Sequence, residues 1–474
     1  MVVGDIATGT EVLVIGAGPG GYVAAIRAAQ LGLDTTLVEK DAYGGVCLNR
    51  GCIPSKALVT GADTAHEAAT AEEMGVHADP AVDLAAMQSW KDGVVDHLTS
   101  GVEKLCKANG VNLVEGTAEF VNEGTVRVAH SGEGQGSETV EYDHAIVATG
   151  SQPIEIPGFP FDEERVLSST DALALEAVPD SLVVVGAGYI GMELSTVYAK
   201  LGTDVTVVEL LDSAMPAYED DIARTVRTRA EELGVEFHFG EGANDWEPRG
   251  DGVRVRTETD DGTESTYDAD RVLIAVGRRP VTDTVGLENL GLEPDENGFL
   301  PTDEHGETSV DDVYAVGDVA GEPMLAHKAS AEGEVVAEYI AGEPAAMDFQ
   351  SIPAAVFTDP EVGTVGMTEA EAREAGFDPV VGEMPMRASG RALTLGETDG
   401  FARVVADGET GFLLGAQIVA PEASELIAEV GLAVEMGATL EDVAATVHTH
   451  PTLSEAVAEA AKNADDAAIH TLNR

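Results

Sequence analysis

Apolar and polar positions in the first 280 residues or so alternate between two patterns. Short apolar runs predict buried strands, and longer segments with apolar residues at helical spacing lie between them. Strands are predicted at 11–15, 34–38, 144–147, 182–185, 205–208 and 272–276, and helices at 57–70, at 85–109 and in two segments ending near 31 and 201. Strands that alternate with helices indicate a parallel sheet. Because the opening pattern recurs after residue 180, two such units are expected.

Other segments predict antiparallel structure. Short strands are expected at 111–113, 117–120, 125–129 and 139–142, with a hairpin loop at 131–137. A strand within 309–318 and a helix at 326–341 follow the second unit. Beyond 349, strands at 357–362, 380–385, 401–406 and 412–418 and helices at 424–436 and 454–468 suggest a different domain. The predicted fold class is α/β, with two Rossmann-like nucleotide-binding domains plus a C-terminal α+β domain, and boundaries near 150, 277 and 348.

The charge balance is strongly acidic, with 86 Asp and Glu against 26 Lys and Arg and a formal charge of −60. Nucleic acids and anionic membranes are therefore poor partners, because Lys and Arg supply affinity for phosphates. At molar salt the Debye length shrinks to ~3 Å, so the composition indicates adaptation to a salt-rich cytoplasm. No apolar run reaches the ~18 residues of a membrane span, and residues 1–5 lack the basic start of a signal peptide, so a cytoplasmic location is expected.

Two glycine-rich turns stand between a predicted strand and a predicted helix. Their glycines have the spacing of dinucleotide-binding turns: Gly16, Gly18 and Gly21 in the first, and Gly186, Gly188 and Gly191 in the second. An acid that can bind a ribose hydroxyl, Glu39 or Glu209, stands 23 positions after the first glycine of each unit. Leu210 and Leu211 follow the second acid, where a reader of a 2′-phosphate would need Arg or Lys. Two nucleotides are predicted, and the second is expected to be NAD rather than NADP.

Two of the three cysteines, Cys47 and Cys52, stand five positions apart within 44–56. A redox-active dithiol is the favoured interpretation, because a staple across so short a loop would remove little chain entropy. A metal half-site would need further Cys or His ligands at ligand spacing, so no metal is expected; a pair of small buried residues is the other alternative. The third cysteine, Cys106, is most simply a core residue.

Together these motifs resemble the flavin-dependent pyridine nucleotide-disulfide oxidoreductases over nearly the whole chain. The matching motifs are GGVCLNRGCIPSK at 44–56, ATGS at 148–151, AVGD at 315–318, LAHKA at 325–329 and HPTLSE at 450–455. Val46 and Arg50 depart from the family pattern, which usually has Thr and Val there. Neither departure removes a reactive group, although Arg50 could lower a thiol pKa or meet an acidic partner.

The resemblance implies FAD at the first glycine unit and NAD at the second. The expected FAD-binding residues are Gly16, Gly18, Gly20, Gly21, Glu39, Lys40, Gly45, Lys56, Ala118, Thr149, Gly150, Asp318 and Ala326. The expected NAD-binding residues are Gly186, Ala187, Gly188, Tyr189, Ile190, Gly191, Glu209, Ala275, Val276, Gly277 and Arg278. By the same resemblance, 1–150 is the FAD-binding domain, 151–277 the NAD-binding domain, 278–348 a central domain completing the FAD site, and 349–474 the interface domain.

The resemblance also implies catalytic roles. Cys52 would face the flavin, and Cys47 would exchange with the substrate, a protein-bound dihydrolipoamide. His450 would take the thiol proton while Glu455 orients its imidazole, with His448 a weaker candidate for the base. Lys56 and Glu193 would tune electron transfer near the flavin edge.

In this family the histidine acts across a two-fold axis, so an obligate homodimer is expected. The expected partners are the lipoyl-bearing proteins of 2-oxoacid dehydrogenase or glycine cleavage complexes. A reductase of glutathione or γ-glutamylcysteine-type disulfides is the nearest alternative, although it would normally use NADPH. A flavin-binding assembly subunit that has lost its chemistry is another, which the intact Cys47, Cys52 and His450 disfavour.

Overall fold

The computed structural model describes residues 7–131 and 136–473. The N-terminal segment, which was expected to carry no signal peptide, and most of the predicted loop at 131–137 lie outside the described residues. Within the described part, no helix combines the length and the apolar character needed to cross a membrane.

The first unit is a parallel sheet that shares two long strands with an antiparallel meander. Its elements are β1 Ala7–Ile15, α1 Pro19–Gln30, β2 Thr35–Glu39, α2 Gly45–Arg50, α3 Cys52–Thr70, α4 Leu84–Ala108, β3 Asn112–Asn122, β4 Thr125–His130 and β5 Ser137–Val147. The start of β3 pairs with β2 in parallel, and its later part pairs with β4 in antiparallel fashion. Strand β5 likewise pairs with both β1 and β4. The sequence prediction of two short strands in each of these places was therefore wrong.

The second unit is a fully parallel sheet with a three-stranded antiparallel meander inserted before its last strand in the chain. Its elements are β6 Ser151–Pro153, β7 Val166–Leu167, α5 Ser169–Ala172, β8 Ser181–Val185, α6 Tyr189–Lys200, β9 Asp204–Glu209, α7 Asp220–Glu232, β10 Glu236–Phe239, β11 Glu241–Arg249, β12 Gly252–Thr259, β13 Glu264–Ala269, β14 Arg271–Ile274 and β15 Arg278–Pro280. The parallel sheet has the order β10-β9-β8-β14-β7. Strand β15 turns back to pair with β6.

The chain then returns to the first sheet before it forms the last domain. Strand β16 (Val313–Ala315) pairs with β5, and helix α8 (Ala326–Ile340) packs against α1. The part of 278–348 that follows β15 therefore adds a strand and a helix to the first unit.

The last domain is an antiparallel sheet of order β17-β18-β21-β20-β19 with helices against it. Its elements are β17 Ala354–Val356, β18 Glu361–Gly366, α9 Glu369–Glu374, β19 Pro379–Pro385, α10 Gly390–Leu395, β20 Phe401–Asp407, β21 Leu413–Ala420, α11 Ala423–Glu435, α12 Leu440–Ala445 and α13 Glu455–Ala464. The predicted strand at 357–362 was wrong, because the chain leaves the sheet after Val356 and re-enters it at Glu361.

Candidate active site

The first glycine turn is tightly packed on all sides but one. Gly16 has φ +103°, and a Cβ there would lie 2.4 Å from the carbonyl oxygen of Ala148. A Cβ on Gly21 would lie 1.8 Å from the carbonyl oxygen of Gly16, so only glycine permits this helix to start so close to the strand. At Gly18 a Cβ would meet nothing within 4 Å. The turn is therefore open at Gly18, where the backbone can approach a pyrophosphate.

A cleft extends from this turn to the two cysteines. Twelve of the thirteen residues expected to bind FAD line it: Gly16, Gly18, Gly20, Glu39, Lys40, Gly45, Lys56, Ala118, Thr149, Gly150, Asp318 and Ala326. The thirteenth, Gly21, lies beneath the turn instead. One oxygen of Glu39 accepts the Ala17 N–H at 2.7 Å and the other accepts the Asp41 N–H at 2.8 Å, which fixes the carboxylate at the cleft wall. An elongated cofactor with a central pyrophosphate fits this set of residues.

The second glycine turn repeats this geometry. Gly186 has φ +102°, and a Cβ on Gly191 would lie 2.0 Å from the Gly186 carbonyl oxygen. Glu209 accepts the N–H of Ala187 at 2.7 Å and that of Leu211 at 2.8 Å. The two turns therefore hold their acids in the same way. Glu209 is followed in the sequence by Leu210 and Leu211, and neither carries a positive charge.

Most residues expected to bind NAD lie outside the cleft that contains the cysteines. Three of them line it, namely Tyr189, Ile190 and Arg278. Gly186, Ala187, Gly188, Gly191, Glu209, Ala275, Val276 and Gly277 do not. Gly186 would clash with Ala275 if it carried a side chain, because the two backbones touch at the end of the sheet. Tyr189 and Ile190 are the first two residues of α6, and they connect the second turn to the cleft.

The two cysteine side chains meet at the start of α3. Cys47 is half-buried on α2, whereas Cys52 is the first residue of α3 and is open to the cleft. A hydrogen bond from Cys47 lowers the pKa of Cys52 to about 7, and the charge of Lys56 acts in the same direction. The same hydrogen bond, together with burial, raises the pKa of Cys47. When both are reduced, the thiolate therefore resides on Cys52.

Lys56 and Glu193 form an ion pair beside Cys52. The Lys56 ammonium lies 2.9 and 3.1 Å from the two carboxylate oxygens of Glu193, and Glu193 is buried on α6. Ser55 donates to the same carboxylate at 3.3 Å, and the Phe357 N–H donates to it at 2.9 Å. The ring of Phe357 covers the ammonium, with 4.3 Å from Nζ to the ring centroid. Ser55 and Phe357 were not predicted as site residues, because no local pattern marks a contact across 138 or 164 residues.

Asp318 and Arg50 each have a partner at the cleft wall. The Ser151 hydroxyl donates to Asp318, and the Arg278 guanidinium donates to the Ser151 hydroxyl at 2.8 Å. Arg278 therefore contacts Asp318 through Ser151 at the wall of this cleft. Ser151 was not among the predicted site residues. Arg50 pairs with Asp41, which lies just beyond Glu39. Of the two roles considered for Arg50, meeting an acidic partner is the one these contacts support.

His450 and Glu455 lie together outside the cleft. The His450 Nδ1 is 3.0 Å from a Glu455 oxygen, and the other Glu455 oxygen accepts the Thr452 N–H at 2.9 Å. These hydrogen bonds hold the pKa of Glu455 below its usual value. The imidazole of His450 is 79% exposed, so its Nε2 is available to a substrate. His448 contacts Glu429 at 2.6 Å and the Thr446 carbonyl at 3.0 Å, so both of its ring nitrogens are occupied.

Two known protein-family domains match nearly the whole chain. The family described as pyridine nucleotide-disulphide oxidoreductase matches residues 10–333, and its dimerisation domain matches residues 352–461. The chain is 70% identical to a protein of Haloferax volcanii named dihydrolipoyl dehydrogenase, with all of both chains covered. It is 50% identical to the protein of that name from Geobacillus stearothermophilus, again over the full length of both.

Two solved structures share this fold over nearly the whole chain. The crystal structure of LpdA from Mycobacterium tuberculosis superimposes with a TM-score of 0.89 at 28% identity, covering 96% of this chain and 99% of that one. A flavoprotein disulfide reductase from Escherichia coli, RclA, gives a TM-score of 0.84 at 27% identity, covering 95% and 99%. Both similarities extend over all the domains described above.

Proposed function

This chain belongs to the pyridine nucleotide-disulphide oxidoreductase family, and we propose that it oxidises protein-bound dihydrolipoamide to lipoamide with NAD⁺ as final acceptor. It is an FAD- and NAD-dependent oxidoreductase of the dihydrolipoyl dehydrogenase type. Its acidic composition and its relatives from halophilic archaea indicate that it comes from a halophilic organism. Its expected partners are lipoyl-bearing proteins of 2-oxoacid dehydrogenase or glycine cleavage complexes. The same proposal places it in the cytoplasm, where high salt would screen its surface charge.

The main support for this proposal is the set of residues that line one cleft. A single cleft contains the open glycine turn, the fixed acid Glu39, the Cys47–Cys52 pair and the Lys56–Glu193 ion pair. The chemistry that FAD supplies when bound there is acceptance of two electrons from the dithiol and their delivery as a hydride to NAD⁺. Residues 1–150 and 278–348 would bind FAD, residues 151–277 would bind NAD, and residues 349–474 would form the subunit interface.

The reaction at sulfur follows from the positions of the chain's own groups. A substrate thiol loses its proton to a histidine, and the thiolate attacks Cys47 of a Cys47–Cys52 disulfide. The bond between the two cysteines breaks, and Cys52 leaves as the more stable thiolate because its pKa is lowered. The second substrate thiol then displaces Cys47, and its proton passes to the departing Cys47 sulfur. One of the two substrate protons therefore ends on the histidine and the other on Cys47, while Cys52 is left as the thiolate. The substrate loses two electrons, and the cysteine pair gains them.

The base in this scheme is His450 of the partner subunit. In the single chain, His450 does not line the cleft that contains the cysteines. The last domain is a dimerisation domain, and it exposes apolar side chains close to His450 in sequence, with Val447 95% exposed and Met436 75% exposed. Apolar surface of this kind is typical of subunit interfaces. A homodimer would bring the histidine of one subunit to the cysteines of the other.

The decisive experiment is a spectrophotometric assay in molar salt. Purified protein is offered dihydrolipoamide with NAD⁺ or NADP⁺ and, separately, oxidised glutathione and a γ-glutamylcysteine-type disulfide with NADPH. We expect rapid NADH formation from dihydrolipoamide and little turnover in the other assays. Rapid NADPH-driven reduction of a small disulfide without dihydrolipoamide oxidation would overturn the proposal.

Coenzyme preference should depend on Glu209 and the leucine after it. We expect the double variant Glu209→Ala, Leu210→Arg to raise kcat/KM for NADP⁺ relative to NAD⁺ by about 10²-fold, because it removes the ribose acceptor and adds a cation for the 2′-phosphate. The ratio is measured from initial rates at saturating dihydrolipoamide. Glu39→Ala is the matched control, since the same acid in the first unit should affect FAD retention instead. An unchanged ratio in the double variant would place the NAD ribose elsewhere.

A further inference from the structure

Phe357 touches both members of the ion pair beside Cys52, although it comes from the dimerisation domain. Its backbone N–H donates to Glu193 at 2.9 Å, and its ring lies 4.3 Å from the Lys56 ammonium. Lys56 stands on α3 and Glu193 on α6, so these contacts join three parts of the chain. An aromatic face over a partly desolvated ammonium restricts where the charge can lie.

The segment around Phe357 is fixed at a second point two residues later. The Asp359 carboxylate lies 2.7 Å from the Lys200 ammonium and 3.3 Å from the Arg229 guanidinium. Lys200 also contacts Asp63 at 2.7 Å, and its ammonium is almost fully buried. Burial alone would lower the pKa of Lys200, but the carboxylates of Asp359 and Asp63 raise it. The segment therefore contacts α6 twice, at Glu193 and at Lys200, and Lys200 in turn binds Asp63 on α3.

We propose that Phe357 is a positioning residue, which holds the Lys56 ammonium against Glu193 and thereby sets the protonation of the Cys52 thiol and the rate of electron transfer from it. This inference rests on the proposed function, since it assumes that Cys52 faces the FAD. Lys56 lies one helical turn after Cys52 on α3, so a displaced ammonium changes the field at the sulfur directly. The substrate side of the dithiol, at Cys47, should be affected much less.

The test uses the holoenzyme in a Cys47→Ser background, where Cys52 is the remaining thiol of the pair. A thiolate beside an oxidised flavin gives a long-wavelength absorbance, so a pH titration of that band reports the protonation of Cys52. We expect Phe357→Leu to raise the midpoint by about one pH unit, because the cation that stabilises the thiolate is no longer held in place. Phe357→Tyr retains the ring and should return the midpoint to within a few tenths of the parent value.

Kinetics in the Cys47-containing enzyme give an independent readout. Phe357→Leu should lower kcat about tenfold while KM for dihydrolipoamide stays within about twofold, since only the step after thiol exchange is slowed. Phe377→Leu is the matched control, because Phe377 lies in the same domain and its side chain is exposed. If Phe357→Leu fails to bind FAD or fold, Phe357→Met supplies a second ring-free side chain of similar volume.

The outcomes separate this inference from the proposed function. A parent enzyme that does not oxidise dihydrolipoamide defeats the proposed function. An active parent whose Phe357→Leu variant shows the same titration midpoint and the same kcat as Phe377→Leu defeats the inference alone. A variant that loses activity only through a raised KM would also contradict it, since that result would assign Phe357 to substrate binding.

Discussion

Replacing Cys47 by Ser is expected to reduce the rate of NADH formation from dihydrolipoamide by at least about 10³-fold, because the substrate thiolate would find no disulfide to attack. The same variant should still oxidise NADH with ferricyanide as an artificial acceptor. That reaction passes from the nicotinamide to the flavin and needs no thiol. Both rates are measured on the same FAD-loaded preparation.

Cys106→Ser provides the control for this prediction. Cys106 is fully buried on α4, away from the cleft, and burial raises the pKa of its thiol to about 11. The variant should retain both activities. If Cys47→Ser retained dihydrolipoamide oxidation at the parent rate, the chemistry assigned to the cysteine pair would be wrong.

Replacing His450 by Gln is expected to lower kcat/KM for dihydrolipoamide by about 10²–10⁴-fold, which is the usual contribution of a positioned general base. The loss should shrink as the pH approaches the pKa of the substrate thiol, because hydroxide then generates the thiolate. Glu455→Gln should have a smaller effect, since it removes the orienting charge and leaves the imidazole. Ferricyanide reduction should be unaffected in both variants. His470→Gln is the control, because this exposed histidine lies in the same domain and its ion pair is with Glu459.

Mixing two inactive variants tests whether one active site uses both subunits. Cys47→Ser and His450→Gln subunits, unfolded and refolded together, should regain about a quarter of the parent activity, since half the dimers are hybrids with one intact site each. The regain is measured against each variant refolded alone. Failure to regain activity, with hybrid dimers demonstrated by mass spectrometry, would place the base and the cysteines within one subunit.

The cofactor-binding parts of the fold could be predicted from sequence because their signals are local. A strand, a glycine turn, a helix and an acid 23 positions on lie within one short stretch, and the backbone geometry at Gly16 and Gly186 requires glycine. The long strands β3 and β5 were less visible, because their partners change midway. Strand β3 passes from β2 to β4, and β5 keeps β1 on one edge while its other edge passes from β4 to β16. In β5, burial alternates over residues 140–143 and is continuous over residues 145–147, so the hydrophobic pattern changes although the strand continues.

The environment of Glu193 could not be predicted in this way. The acid is recognisable from its place in the second glycine unit, but three of its contacts come from Ser55, Lys56 and Phe357, in other parts of the chain. Phe357 was assigned to a strand by its apolar neighbours, yet its N–H is used by Glu193 instead of a neighbouring strand. Hydrogen bonds between residues so far apart in the chain produce no periodic pattern in a single sequence.

The two ion pairs that join α3 and α6 also limit how these helices can change length. Lys56 and Asp63 are seven residues apart on α3, and their partners Glu193 and Lys200 are seven apart on α6. Seven residues fall only ~20° short of two full turns, so both pairs lie on the facing sides of the helices. A single inserted residue between the pairs would rotate one partner by ~100° and move it ~1.5 Å along the axis. In related sequences, insertions should therefore fall outside 56–63 and 193–200, in the loops beyond each helix.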